Sequence, residues 1–201
     1  MRRIIVLSLS LFLFAGTILL ADERIGTYTE ALHKREVQAY YNKQGSLVLR
    51  FDVSNLDNEE SSIVIIGEEN ITKFYNALYT CQTKYKEWRK VAIENRITDY
   101  GKWIETDFPE MILMWDFPDD GSTPKLGKAV TAARFEIADN GVAGIAIAIG
   151  GEAYTFNKTG HRLWVITFFS DDEIQTLMHL ANVGIIKQAL NKKTIIDDLF
   201  K

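Results

Sequence analysis

The chain predicts an α+β fold, with an antiparallel sheet, single or paired, packed against one long central helix and C-terminal helices. Three observations predict it. Leu47, Leu49, Phe51 and Val53 fall on one face at a period of two, the pattern of a half-buried strand. From Asn70 to Asn95, Ile71, Phe74, Leu78, Cys81, Tyr85, Trp88 and Ala92 recur at spacings of three and four and form one apolar helical stripe. Ser170-Asp171-Asp172-Glu173 then reads as a capping box opening a later helix.

Taken in order, the text from Arg24 reads as strands. Arg35–Lys43 is a candidate strand through Val37, Ala39 and Tyr41, and Gln44-Gly45 is a turn. Ser46–Val53 follows, then the polar turn Asp57–Glu60 and the β-branched run Ser61–Ile66. In the helix over 70–95, Cys81 falls mid-stripe, which predicts a packed core thiol, and Tyr85 and Trp88 read as core residues. Asn70 at the helix start reads as a cap, with Glu68 and Glu69 favouring the positive helix end.

Ile97–Pro109 reads as an irregular or extended connection, and Met111–Phe117 as a short strand. Pro118–Pro124 holds two of the three prolines and is the strongest loop signal. Ala129–Ala138 and Val142–Ile149 read as a hairpin about Asn140-Gly141, where both residues tolerate positive φ. Ile145, Ile147 and Ile149 share one face of the return strand. Gly144, Ala146 and Ala148 share the other, which predicts a helix packed closely on the small-residue side. Gly150-Gly151 reads as a turn or bulge, and Glu152–Asn157 with Arg162–Phe169 as a hairpin about Lys158-Thr159-Gly160. The helix after Ser170 uses Ile174, Leu177, Met178 and Ala181; Asn182 and Gly184 break it, and Ile185–Phe200 is a further helical segment.

The halves at 24–97 and 127–200 share an order of strands, acidic cap and helix. Either a strand-rich unit plus helix is repeated twice, or this junction is generic.

Residues 1–21 carry a basic start at Arg2-Arg3, an apolar run from Ile4 to Leu20 and the small Ala21 before Asp22. That is the layout of a secretory signal peptide followed by a single exported domain at 22–201, periplasmic or secreted. Uncleaved, the segment would be an anchor, the one expected contact with a membrane. With Arg2 and Arg3 gone, 21 Lys and Arg face 27 Asp and Glu, a balance that argues against nucleic acid as a partner. Cys81 is the only cysteine, so an internal disulfide is ruled out and the core must carry stability.

No spacing points to a catalytic, metal or cofactor site. His33, His161 and His179 share no ligand spacing, and His161 falls in the expected Gly160 turn. Asp119-Asp120-Gly121 lacks the alternating ligands of a calcium loop. Gly45-Ser46 and Gly121-Ser122 lack the setting of a nucleophile elbow. Because loops carry function disproportionately, Asp116, Pro118, Asp119, Asp120 and Ser122 form the candidate interaction loop.

The stretch Tyr85-Lys-Glu-Trp88-Arg-Lys-Val-Ala-Ile-Glu-Asn95, with the strand, cap and helix near Ser170, resembles small exported proteins of Bacteroidetes that lack an assigned function. The resemblance implies a bacterial exported α+β protein and transfers no catalytic residue and no ligand.

These observations lead to the expectation of an exported, non-catalytic binding or interaction protein, with an unknown protein or small molecule as its ligand and no cofactor. One rival expectation is an acidic inhibitor or immunity-type protein for a basic enzyme. The other is an enzyme whose site is not readable from sequence.

Overall fold

The computed structural model describes residues 23–51, 60–116, 125–155 and 158–199, apart from 31, 33, 35 and 43. The expected signal at 1–21, the loop residues Pro118, Asp119, Asp120 and Ser122, and His33 lie outside the described residues. Asp116 is the last residue of a strand.

Strands β1 (Glu23–Thr29), β2 (Glu36–Tyr41), β3 (Ser46–Phe51) and β4 (Glu60–Ile66) form a meander that feeds helix α1 (Glu68–Asn95). Strands β5 (Tyr100–Ile104), β6 (Met111–Asp116), β7 (Lys125–Ile137), β8 (Ala143–Thr155) and β9 (Lys158–Phe168) follow, and helices α2 (Asp171–Leu180) and α3 (Val183–Leu199) come last. The fold is α+β, and its strands make one antiparallel nine-stranded sheet in the order β1-β2-β3-β4-β6-β7-β8-β9, with β5 also on β7. The sheet is single rather than paired.

The expected stripe of α1 is the buried one: Ile71, Phe74, Leu78, Cys81, Tyr85 and Ala92 all sit in the main core. They pack there with Leu47 and Leu49 of β3, Ile63 and Ile65 of β4, and Ile174 and Leu177 of α2. Its 28 residues contain neither glycine nor proline, so the backbone ladder runs unbroken. Asn70 is inside the helix rather than at its cap; Gly67 takes the cap position at φ 83°, and the Asn70 amide donates back to the Ile66 carbonyl at 2.9 Å. At Ser170 both halves of the capping box form, the Glu173 amide donating to the serine hydroxyl and Glu173 Oε2 accepting from the Ser170 amide. Asn182 separates α2 from α3 and caps the latter, its Oδ1 accepting from the Ile185 amide at 3.2 Å.

Four further expectations need correction. The connection over 97–109 contains β5, whose Gly101 and exposed Tyr100 and Trp103 hide any buried alternation. Strand β8 runs straight through Gly150-Gly151, because a Cβ at Gly151 would meet the Lys128 carbonyl oxygen at 2.7 Å; the neighbouring strand, not a turn, demands the glycine. Lys158, Thr159, Gly160 and His161 are strand residues, and β8 and β9 stay in register as far as Thr155 opposite Lys158. The helices cover the isoleucine side of β8, not the small-residue side: Ile145, Ile147 and Ile149 share the core with α1 and α2. On the small side, Gly144 answers to the neighbouring backbone, since a Cβ there would meet the Phe168 carbonyl oxygen at 2.9 Å.

The Asn140-Gly141 turn forms, but only Gly141 has positive φ, at 78°. The Gly141 amide donates to the Ala138 carbonyl and the Ala138 amide to the Val142 carbonyl. This is a three-residue hairpin loop with glycine at its left-handed position.

The sheet coils back on itself. Seven inter-strand steps of about 4.8 Å would set β1 and β9 roughly 34 Å apart in a flat sheet. Instead the Tyr28 and Phe168 rings lie 5.7 Å apart, and Glu30 Oε1 accepts from the Thr167 amide at 3.3 Å. Helices α2 and α3 both pack on β1, so close that a Cβ at Gly26 would stand 2.6 Å from Leu180 Cδ2. Among the described residues no helix is long and apolar enough to cross a membrane.

Candidate functional site

The C-terminal end of α1 is where apolar side chains leave the core. Arg96 takes the left-handed conformation at φ 54°, its amide donating to Ile93 and the Ile97 amide to Ala92 at 2.9 Å. This paired closure reverses the chain and folds Ile97 back towards Ala92. Asp99 is also left-handed, at φ 50°, and β5 begins at the next residue. Two non-glycine residues in that conformation within four positions store local strain, which concentrates at functional sites.

On β5, Tyr100, Lys102 and Ile104 are registered with Ile137, Phe135 and Ala133, on the side facing α1; Gly101 and Trp103 are registered with Glu136 and Arg134 on the other. Between β5 and α1 lies an apolar cleft of about 210 Å³, lined by Trp88, Val91, Ala92, Ile97, Tyr100 and Lys102 over Phe135 and Ile137. Tyr85 is in the core as expected. Trp88 is only half-buried, its ring edge-on to Phe135 at 5.6 Å and the rest of it forming a cleft wall. Lys102 Nζ lies 4.8 Å from the centre of that ring and Lys84 Nζ 5.9 Å from it.

Two more clefts adjoin. One of about 480 Å³ lies between α1 and the start of α2, with Tyr85, Arg89, Ile93 and Phe169 in its lining. Its edge carries Lys86, which sits 3.0 Å from Asp171 Oδ1. The Tyr85 hydroxyl donates to the Phe169 carbonyl, and burial pushes its pKa up against the lowering effect of Arg89. The other, of about 350 Å³, lies on the small-residue face of the sheet, with Tyr100, Arg134, Val142, Gly144 and Phe169 in its lining. Arg134 stacks 5.5 Å from the Trp103 ring centre and pairs with Glu136 at 3.4 Å. None of the three clefts is lined by histidine.

Val91, Ile93, Tyr100, Trp103 and Val142 are exposed around these clefts, Trp103 at 61 %. The same end mixes charges, with Glu94 and Asp171 beside Arg89 in one cleft and Asp99 and Glu136 beside Arg134 in another. Lys84 pairs with Glu87 and Lys90 lies near Glu94, whereas Arg89, Arg96 and Lys102 have no carboxylate partner among the described residues. A site joining aromatic and aliphatic walls to unpaired cations suits an acidic, partly apolar ligand.

Of the expected interaction loop, only Asp116 falls among the described residues, opposite Glu60 and beside the Lys125 end of β7. The clefts are at the Ile137 end of that strand. His179 is exposed on α2, and His161 lies on β9. No group of three His, Cys, Asp or Glu side chains among the described residues could hold a metal ion. Asp116 and the observed clefts are therefore at separate places. The sequence signal for the clefts was the apolar Val91 and Ile93, which fall off the buried stripe of α1. Comparison with family models, curated proteins and solved structures gives no match.

Proposed function

We propose that the protein is an exported interaction protein that acts without catalysis, binding its partner through the surface where α1 ends and β5 begins. One observation carries the reading: Val91, Ile93 and Tyr100 are exposed in the lining of two adjoining clefts beside Arg89 and Lys102, which have no carboxylate partner among the described residues, and Trp103 is exposed on the same strand as Tyr100. Exposed apolar groups scattered singly need no explanation, but a grouped set with a charged rim marks an interaction site. Export rests on the layout of residues 1–21. The charge of the surface departs from that of an acidic inhibitor: although the chain carries a net −4, this face offers cations, so the expected partner is acidic.

The test is affinity capture from envelope and secreted extracts with the purified protein and with a triple variant, Ile93→Ser, Tyr100→Ser and Trp103→Ser. A partner held by the first and lost by the second, with both proteins melting alike, supports the reading. A partner held equally by both places the interaction elsewhere.

A further inference from the structure

Strand β7 is long enough to carry two neighbours on one edge, with β6 beside Lys125–Ala129 and β5 beside Ala133–Ile137. Strand β4 pairs with β6 but not with β5. Among the described residues β5 is therefore bonded along one edge only, and alternate backbone amides and carbonyls of its other edge face outward. An unpaired edge is a template for another strand.

The surroundings of this edge are those of a strand-addition site, in which main-chain hydrogen bonds give affinity and pockets for alternate side chains give selectivity. A segment laid beside β5 would turn every second side chain towards α1. There the cleft formed by Trp88, Val91 and Ile97 measures about 210 Å³, below the roughly 300 Å³ at which small-molecule sites begin, and so suits a single large side chain. The other side chains would lie alongside Trp103, with Arg134 stacked on it. Lys102 is on the Trp88 side, in the lining of that cleft, and has no carboxylate partner among the described residues.

We infer that the open edge of β5 docks an extended acidic peptide segment, which adds as a strand beside Tyr100–Ile104 and seats one large apolar side chain in the Trp88 cleft. This deepens, and rests on, the reading of the protein as an interaction module. Shortness and an edge lysine are also how sheets protect an edge from pairing. The acidic requirement separates the two: a protected edge takes no strand of any charge, whereas a docking edge selects carboxylates to meet Lys102.

The probe is a phage-displayed library of random peptides about ten residues long, roughly twice the length of β5. The library is panned against the purified protein, and enriched peptides are titrated by tryptophan fluorescence. The expected consensus is an aromatic or leucine residue flanked by Asp or Glu. Lys102→Glu should weaken the best peptide by about tenfold or more while leaving the melting temperature unchanged, and Lys102→Gln should weaken it less. N-methylation of alternate peptide amides in one register should abolish binding, and in the other register leave it intact. No enrichment, a neutral or basic consensus, equal binding to Lys102→Glu, or indifference to N-methylation would each overturn the inference. If the partner captured through Ile93, Tyr100 and Trp103 persists while the peptide arm fails, strand addition falls and the interaction reading stands. If both fail, both fall.

Discussion

The Tyr85 hydroxyl donates to the Phe169 carbonyl at 2.5 Å, across 84 positions of sequence. It ties the middle of α1 to the residue just before the capping box of α2. Tyr85→Phe keeps the ring against Phe135 and removes only this bond, so a loss of about 1 kcal/mol is expected in urea unfolding. An unchanged midpoint would mean that water replaces the hydroxyl without loss.

Glu30 is 2 % exposed, and its carboxylate accepts from the amides of Leu32 and Thr167. Glu30→Ala leaves the buried Thr167 amide without this acceptor and should destabilise by about 1–3 kcal/mol. Hydrogen exchange at Thr167 should accelerate more than at Leu49, which lies in the middle of the sheet. Equal acceleration would show that the contact does not close the seam.

Gly26 stands under Leu180, at a register shift of β1. Gly26→Ala brings a methyl group to 2.6 Å from Leu180 Cδ2 and should cost about 1–3 kcal/mol through overpacking. Gly141→Ala is the control, because it meets nothing within 4 Å and is strained only by its φ of 78°. Thermal melts of the two variants separate crowding from backbone strain.

Burial pushes the Cys81 thiol up to about 12 from an ordinary 9.0, and burial also raises the Tyr28 hydroxyl, with Glu173 and Glu30 adding to it. The folded state therefore holds protons that the unfolded state releases. Stability from these groups is complete below pH 9 and falls as pH rises from there towards 12. Urea midpoints measured between pH 8 and 11 should decline, and Cys81→Ala should flatten part of that decline. Native protein at neutral pH should resist alkylation until it unfolds.

Local pattern explains most of what the chain disclosed in advance. The α1 stripe and the Ser170–Glu173 box are written in neighbouring residues, and both formed as read. Strand β5 escaped because Gly101 interrupts it and its aromatic residues point outward, leaving only Ile104 buried. The glycines of β8 were misread because their reason lies in Lys128 and Phe168, on the strands alongside. The candidate site was illegible for the same reason. Trp88, Ile97 and Lys102 come from a helix, its reversal and a strand, and only the left-handed turn at Arg96 brings them to one cleft.

The meeting of β1 with β9 also sets an order of events. The first described strand finds its last neighbour only after Thr167 has been made, so the seam cannot close on a growing chain. Contacts that span so much sequence form late and slow the final step. Until then β1 has β2 alone as its strand neighbour, and the core around Phe168 stays open. On the export route proposed above, a chain passing unfolded through a translocation pore would gain from this delay, having no complete state to fall into before Thr167 has passed.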